Sequence, residues 1–149
     1  MIDKDLTLAL AESMTCGMAA DKLATCPGTA EVLRGSVVCY HEQVKKELLK
    51  VTASRIKKYT AESAQVTEDL AKGLKQLITA DIYGAITGLA SSGGSETKTK
   101  PVGTVFFCIL FKGKLIKQKK LYRGTPLQIR EKACFGIYDL ITREVIKKI

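Results

Sequence analysis

The sequence holds a single histidine, His41, and no Cys-x-x-Cys pair, so it lacks the ligand spacing of a zinc site, and no metal is expected. Its five cysteines (Cys16, Cys26, Cys39, Cys108 and Cys134) are odd in number and scattered, which excludes a disulfide scaffold. Cys39, Cys108 and Cys134 stand inside apolar runs and read as small buried residues; Cys16 does not. Only nine aromatic residues are present, four Phe and five Tyr, too few stacking platforms for nucleic acid to be the expected partner. No apolar run approaches the ~20 residues needed to span a bilayer, so no membrane partner is expected. The start, Met1-Ile2-Asp3-Lys4-Asp5, has no long apolar core or cleavage site, and a cytoplasmic location is expected. No glycine-rich stretch ends in Gly-Lys-Ser/Thr, so no P-loop is read. Neither an internal repeat nor a linker is visible, and residues 1–149 are expected to form one domain.

The residues present make an ordinary globular chain, 46% apolar and 26% charged, with 24 Lys+Arg against 15 Asp+Glu, net +9. That excess suits an anionic partner, a phosphorylated small molecule among them. The pattern predicts a buried strand over residues 6–11. Thr15 is expected to cap a helix that runs to about Thr25, and a turn follows at Cys26-Pro27-Gly28-Thr29. A strand over residues 36–40 leads into a charged helix with Val44, Leu48 and Leu49 on one side. Residues 52–66 read as a loop with room for a short helix. Thr67 is expected to cap the next helix, whose apolar face is Leu70, Ala71, Leu74, Leu77 and Ile78. Strands follow over residues 82–87 and 102–111, then a hairpin at Lys112-Gly113-Lys114 and a lysine-rich edge strand over 115–122. Thr125-Pro126 opens the last helix, with Ile129, Ala133, Ile137, Leu140, Ile141 and Val145 inward. The expected fold class is α/β, a single-domain three-layer sandwich with a mixed sheet and helices on both faces.

Three segments can carry chemistry. In Ala11-Glu12-Ser13-Met14-Thr15 a strand gives way to a helix, where free amides favour negative charge; Ser13 serves there either as a nucleophile or as a cap. In Tyr40-His41-Glu42-Gln43-Val44-Lys45 the lysine is either a desolvated base or a solvated neighbour of Lys46. In residues 88–95 small side chains let backbone amides approach a phosphate or carboxylate, unless the segment is a plain surface loop.

Together these segments resemble the CinA C-terminal domain family, the nicotinamide-nucleotide amidohydrolases. The resemblance runs through Ala11-Glu12-Ser13-Met14-Thr15 with Gly17, Pro27-Gly28, residues 35–40 followed by Lys45, Val66-Thr67-Glu68, Ala80-Asp81, Thr87-Gly88-Leu89-Ala90, Gly93-Gly94 and Lys100-Pro101-Val102-Gly103-Thr104-Val105. It implies a cofactor-free hydrolase that converts nicotinamide mononucleotide (NMN) to nicotinic acid mononucleotide and ammonia. Ser13, Tyr40 and Lys45 are the implied catalytic residues, and the lysine acts through or beside the tyrosine. The implied substrate-binding residues are Thr15, Cys16, Gly17, Ala90, Ser91, Ser92, Gly93 and Gly94. A homo-oligomer is compatible with this reading. The chain departs from the family pattern at Cys16 (usually glycine), His41-Glu42 (usually Ser-Asn), Ser91-Ser92 (usually Gly-Pro) and Thr125-Pro126 (usually Asp-Arg). A changed amide substrate, or an inactive nucleotide-binding or scaffolding protein, is the alternative reading.

Overall fold

All 149 residues, Met1–Ile149, are described by the structure, a computed structural model. Five strands form one mixed sheet in the order β2-β1-β3-β4-β5. Strand β1 (Leu8–Glu12) pairs parallel with β2 (Leu33–Val38) and with β3 (Ile82–Gly88). Antiparallel pairing then joins β3 to β4 (Thr104–Phe111) and β4 to β5 (Lys114–Leu121). All five residues of β1 are buried, as a parallel strand covered on both faces must be.

Strand alternation sends two sets of side chains to two cores. Leu8, Leu10, Ile82, Ile86, Phe107 and Ile109 pack against helices α1 (Met18–Ala24) and α6 (Pro126–Glu144). Ala9, Ala11, Tyr83, Ala85, Cys108 and Leu110 pack against α5 (Ala64–Leu77) and the short helices α3 (Glu42–Glu47) and α4 (Ala53–Tyr59). This is the three-layer α/β sandwich the pattern predicts. The α6 stripe is buried at all six expected positions. Thr125 and Gln128 close a reciprocal capping box at its start. No helix is long and apolar enough to cross a membrane.

Strand β1 runs Leu8–Glu12 rather than 6–11, β4 starts at Thr104 rather than 102, and four further points differ from expectation. Thr15 does not cap α1, which starts at Met18 after Gly17 at φ 89°. Thr67 does not cap α5; Ser63 does, accepting from the Val66 amide. Thr67 lies one turn inside, buried, its hydroxyl 2.6 Å from the Ser63 carbonyl and 2.8 Å from the Thr87 hydroxyl of β3. Strand β2 ends at Val38 rather than Tyr40, because the chain turns there and directs the next two carbonyls to a buried lysine. A one-turn helix, α2 (Thr29–Val32), occupies what reads as the approach to that strand.

Candidate active site

Because β1, β2 and β3 run parallel, their carboxyl ends open on one edge of the sheet, and the segments after them meet there. Ser13 follows β1 directly. Its amide donates to the Ile86 carbonyl of β3, so the serine is held to the sheet and is 6% exposed. After β2, His41 caps α3 by accepting the Gln43 amide on its ring nitrogen, which accounts for the lone histidine as a capping residue. One turn into α3 stands Lys45, only 1% exposed despite its place in a charged run.

The Lys45 Nζ lies 3.0 Å from Ser13 Oγ, 2.6 Å from the Cys39 carbonyl and 3.0 Å from the Tyr40 carbonyl. A protonated ammonium donates to all three oxygens. A neutral amine donates to the two carbonyls and presents its lone pair to Ser13, which is the geometry of a base aimed at a hydroxyl. Burial pulls the Lys45 pKa below the ordinary lysine value of 10.5, opposed by Cys39, Glu62 and Glu42. The Tyr40 side chain does not complete a hydrogen-bonded triad. It is 67% exposed, its hydroxyl bonds neither Ser13 nor Lys45, and only its carbonyl reaches the lysine.

Ser13 opens into a cleft of about 620 Å³, whose walls include Met14, Cys16, Tyr40, Glu62, residues 88–94, Pro126 and Arg130. Cys16, Ala90, Ser91, Ser92, Gly93 and Gly94 line this cleft. Thr15 and Gly17 do not. Thr15 is fully buried with its hydroxyl unpartnered, and a side chain at Gly17 would face Val38. Cys16 adopts φ 50°, a left-handed conformation easier for the glycine usual at this point.

The helix start is not an open anion site. The Glu12 carboxylate accepts the Ala19 and Ala20 amides at 2.9 Å each, and the Ser36 hydroxyl at 2.9 Å. A buried acid one residue before the serine thus occupies the positive end of α1. The amides that stay without an acceptor next to Ser13 are those of Met14 and Thr15. Their segment is clamped by Arg130 of α6, whose Nε and Nη2 donate to the Met14 and Thr15 carbonyls at 3.0 Å.

The glycine amides expected to meet a phosphate are likewise engaged. Gly93 and Gly94 donate to the two Glu96 carboxylate oxygens at 2.8 Å, which holds the Glu96 carboxyl below its usual range. Lys100 ties the loop to the protein, its Nζ 2.7 Å from Thr60 Oγ1, 2.6 Å from Ser95 Oγ and 3.0 Å from the Glu62 carbonyl. Gly88 is required where the loop leaves β3. A Cβ there would lie 2.5 Å from both Met14 Sδ and the Thr104 carbonyl.

Glu12, Glu62 and Arg130 belong to the site and were not read from the sequence. An acid ending an apolar run just before a helix was a visible signal for Glu12. Nothing local signals Arg130, which acts across 116 residues. No group of three His, Cys, Asp or Glu side chains could hold a metal ion.

Comparison with known proteins places this geometry. The chain is 38% identical over 142 residues to a CinA-like protein of Pseudothermotoga lettingae, covering 93% of this chain and 34% of that protein. It is 34% identical over 149 residues to a putative competence-damage inducible protein of Clostridium novyi, covering 99% of this chain and 36% of that one. It thus spans about a third of the length of these relatives. Among solved structures it is similar to competence damage-inducible protein A of Klebsiella pneumoniae, with TM-score 0.92, 27% identity, and 97% and 89% of the two chains covered. A CinA superfamily protein of Escherichia coli superposes with TM-score 0.87 at 29% identity, covering 94% and 81%. The model of the CinA C-terminal domain matches residues 1–145, and with the strand-edge serine and its buried lysine in place, the chain belongs to that family.

Proposed function

We propose that the protein is a Ser/Lys amidohydrolase whose substrate is NMN, converted to nicotinic acid mononucleotide and ammonia. The observation that carries this reading is the 1% exposed Lys45 with its Nζ 3.0 Å from Ser13 Oγ. Neutral Lys45 takes the Ser13 proton as Oγ attacks the carboxamide carbon. The oxyanion that forms lies beside the Met14 amide, which lines the cleft and has no acceptor. Collapse breaks the C–N bond, and Lys45 returns its proton to the departing ammonia. Water, deprotonated in turn by Lys45, opens the acyl-serine ester, and Lys45 passes that proton to the departing Ser13 Oγ, so that amide plus water gives acid plus ammonia. Tyr40 walls the cleft, where its exposed ring can stack on a flat substrate.

Ammonia release from NMN by the purified protein tests this, with Ser13→Ala as control. Loss of turnover with retained binding is the expected result, since the hydroxyl contributes to the transition state and little to the ground state. Activity that survives Ser13→Ala but is abolished by alkylating Cys16, the exposed thiol in the same cleft, would assign the nucleophile to Cys16 instead. A second reading, a different carboxamide, is favoured by Pro126, Ser91 and Ser92 on the cleft wall, where the family pattern has Arg, Gly and Pro. It predicts turnover of another amide in the same assay and none of NMN.

A further inference from the structure

Beyond the Gly93-Gly94 rim lies a second cavity, of about 470 Å³, which shares Glu62, Gly93 and Gly94 with the Ser13 cleft. Consecutive residues on a helix point about 100° apart, and α3 uses that turn. Lys45 enters the first site while Lys46 lines the second. From α4, Lys57 lines the same cavity.

Neither Lys46 nor Lys57 has an ion-pair partner, although the protein forms eight salt bridges elsewhere. The nearby carboxylates are mostly committed. Glu62 accepts from the Ser95 hydroxyl and lies beside Lys100, and Glu96 is held by the two glycine amides. Glu42, one turn before Lys46 on the cavity wall, is the single acid without such a partner, and it closes no bridge to Lys46. Two unpaired cations from two helices on one cavity wall suit a phosphate. The Ser13 cleft itself offers only one outward cation, Arg130, and that is spent on two carbonyls.

The geometry points to a phosphate subsite in this second cavity: a phosphorylated amide lies across the Gly93-Gly94 rim, its carboxamide at Ser13 and its phosphate between Lys46 and Lys57. This rests on the amidohydrolase reading for the position of the carboxamide, but the phosphate contacts can be measured without turnover. The experiment compares NMN with its dephosphorylated form, nicotinamide riboside, for the intact chain and for Lys46→Gln/Lys57→Gln. Thermal unfolding verifies that the variant is folded. Kinetics should give a KM for NMN about five- to tenfold higher in the double variant, as fits two partly exposed charge contacts. The NMN-to-riboside preference should narrow by the same factor. Binding of NMN to Ser13→Ala, followed by calorimetry, should weaken equally when the two lysine substitutions are added. An unchanged preference and unchanged NMN affinity in the double variant would overturn the subsite. Lysine-dependent NMN binding without any turnover would uphold the subsite and sink the amidohydrolase reading instead.

Discussion

Replacing Lys45 by Met separates what the lysine does for the fold from what it does for the chemistry. The substitution keeps an unbranched apolar stem in a space that is 1% exposed and removes only the amine. Three oxygens then lose their donor: the Cys39 carbonyl, the Tyr40 carbonyl and Ser13 Oγ. A buried acceptor left unpaired costs about 1–3 kcal/mol. Against that, the wild-type protein holds in a dry place an amine whose charged form burial disfavours. The two effects oppose, so the net stability change should stay within about 2 kcal/mol at neutral pH. Its pH dependence carries the clearer sign. The folded-state pKa of Lys45 is lowered, so between that value and the unfolded value near 10.5 the unfolded chain binds more protons. Wild-type stability should therefore rise, relative to Lys45→Met, as pH increases through that window, and show no such gain below it.

Activity should respond far more strongly. A positioned general base contributes about 10²–10⁴ in rate, and turnover by Lys45→Met should fall at least that far. The wild-type rate should climb with pH as Lys45 loses its proton, with a midpoint below the ordinary lysine value, and the climb should vanish in the variant. Lys45→Arg should not rescue, because guanidinium stays protonated. Ammonia release across a pH series, read beside thermal unfolding of the same samples, measures both. A Lys45→Met protein that retains a tenth of the wild-type rate, or a pH profile that the substitution leaves untouched, would refute the assignment of Lys45 as the base.

Three more substitutions probe the scaffold. Cys16→Gly relieves a side chain held at φ 50° and should raise stability by about 0.5–1 kcal/mol, seen as a higher melting temperature. Gly73→Ala should lower stability by more than 1 kcal/mol even though alanine is the better helix former, because its Cβ would sit 2.0 Å from the Leu49 carbonyl; a stabilised variant would show that the α3–α4 connection yields freely. Arg130→Gln should reduce kcat more than it raises KM, since the side chain orients the Met14-Thr15 segment, and Arg130→Lys should recover only part, having one cationic centre for two carbonyls.

Periodic elements were legible in the sequence where one force decided them. The α6 stripe and its Thr125 cap, the apolar β3 and β4, and the Lys112-Gly113 hairpin each follow from local pattern and turn chemistry. Expectation slipped where a distant group changed the local choice. Two hydroxyls, Ser63 and Thr67, could each have capped α5, and Thr87 on β3 claims the second. Thr15 reads as a cap until Glu12, from the preceding strand, takes the helix amides. The edge strand β2 has a half-exposed surface with little alternation, so its end is set by Lys45 rather than by its own residues.

The same distinction explains why the site was visible in part. Ser13 sits in a local signature, a strand-to-helix switch, and could be picked out as a candidate from the residues alone. Lys45 sits in a run of charges, and its burial is created by tertiary structure: the Cys39 and Tyr40 carbonyls supply two acceptors, so that an ammonium with three donors can enter the interior with only Ser13 left to satisfy. That arithmetic links fold and chemistry. Deprotonation leaves both carbonyl bonds intact and turns the third contact from donor to acceptor, so the lysine can change protonation state without moving. The Cys39 carbonyl is fixed because the Cys39 amide donates to the Glu12 carbonyl at 2.8 Å, and Glu12 in turn holds the start of α1. The base, the nucleophile and the helix behind it are therefore positioned by adjacent strand ends, the carboxyl ends of β1 and β2, with Ile86 of β3 holding the Ser13 amide.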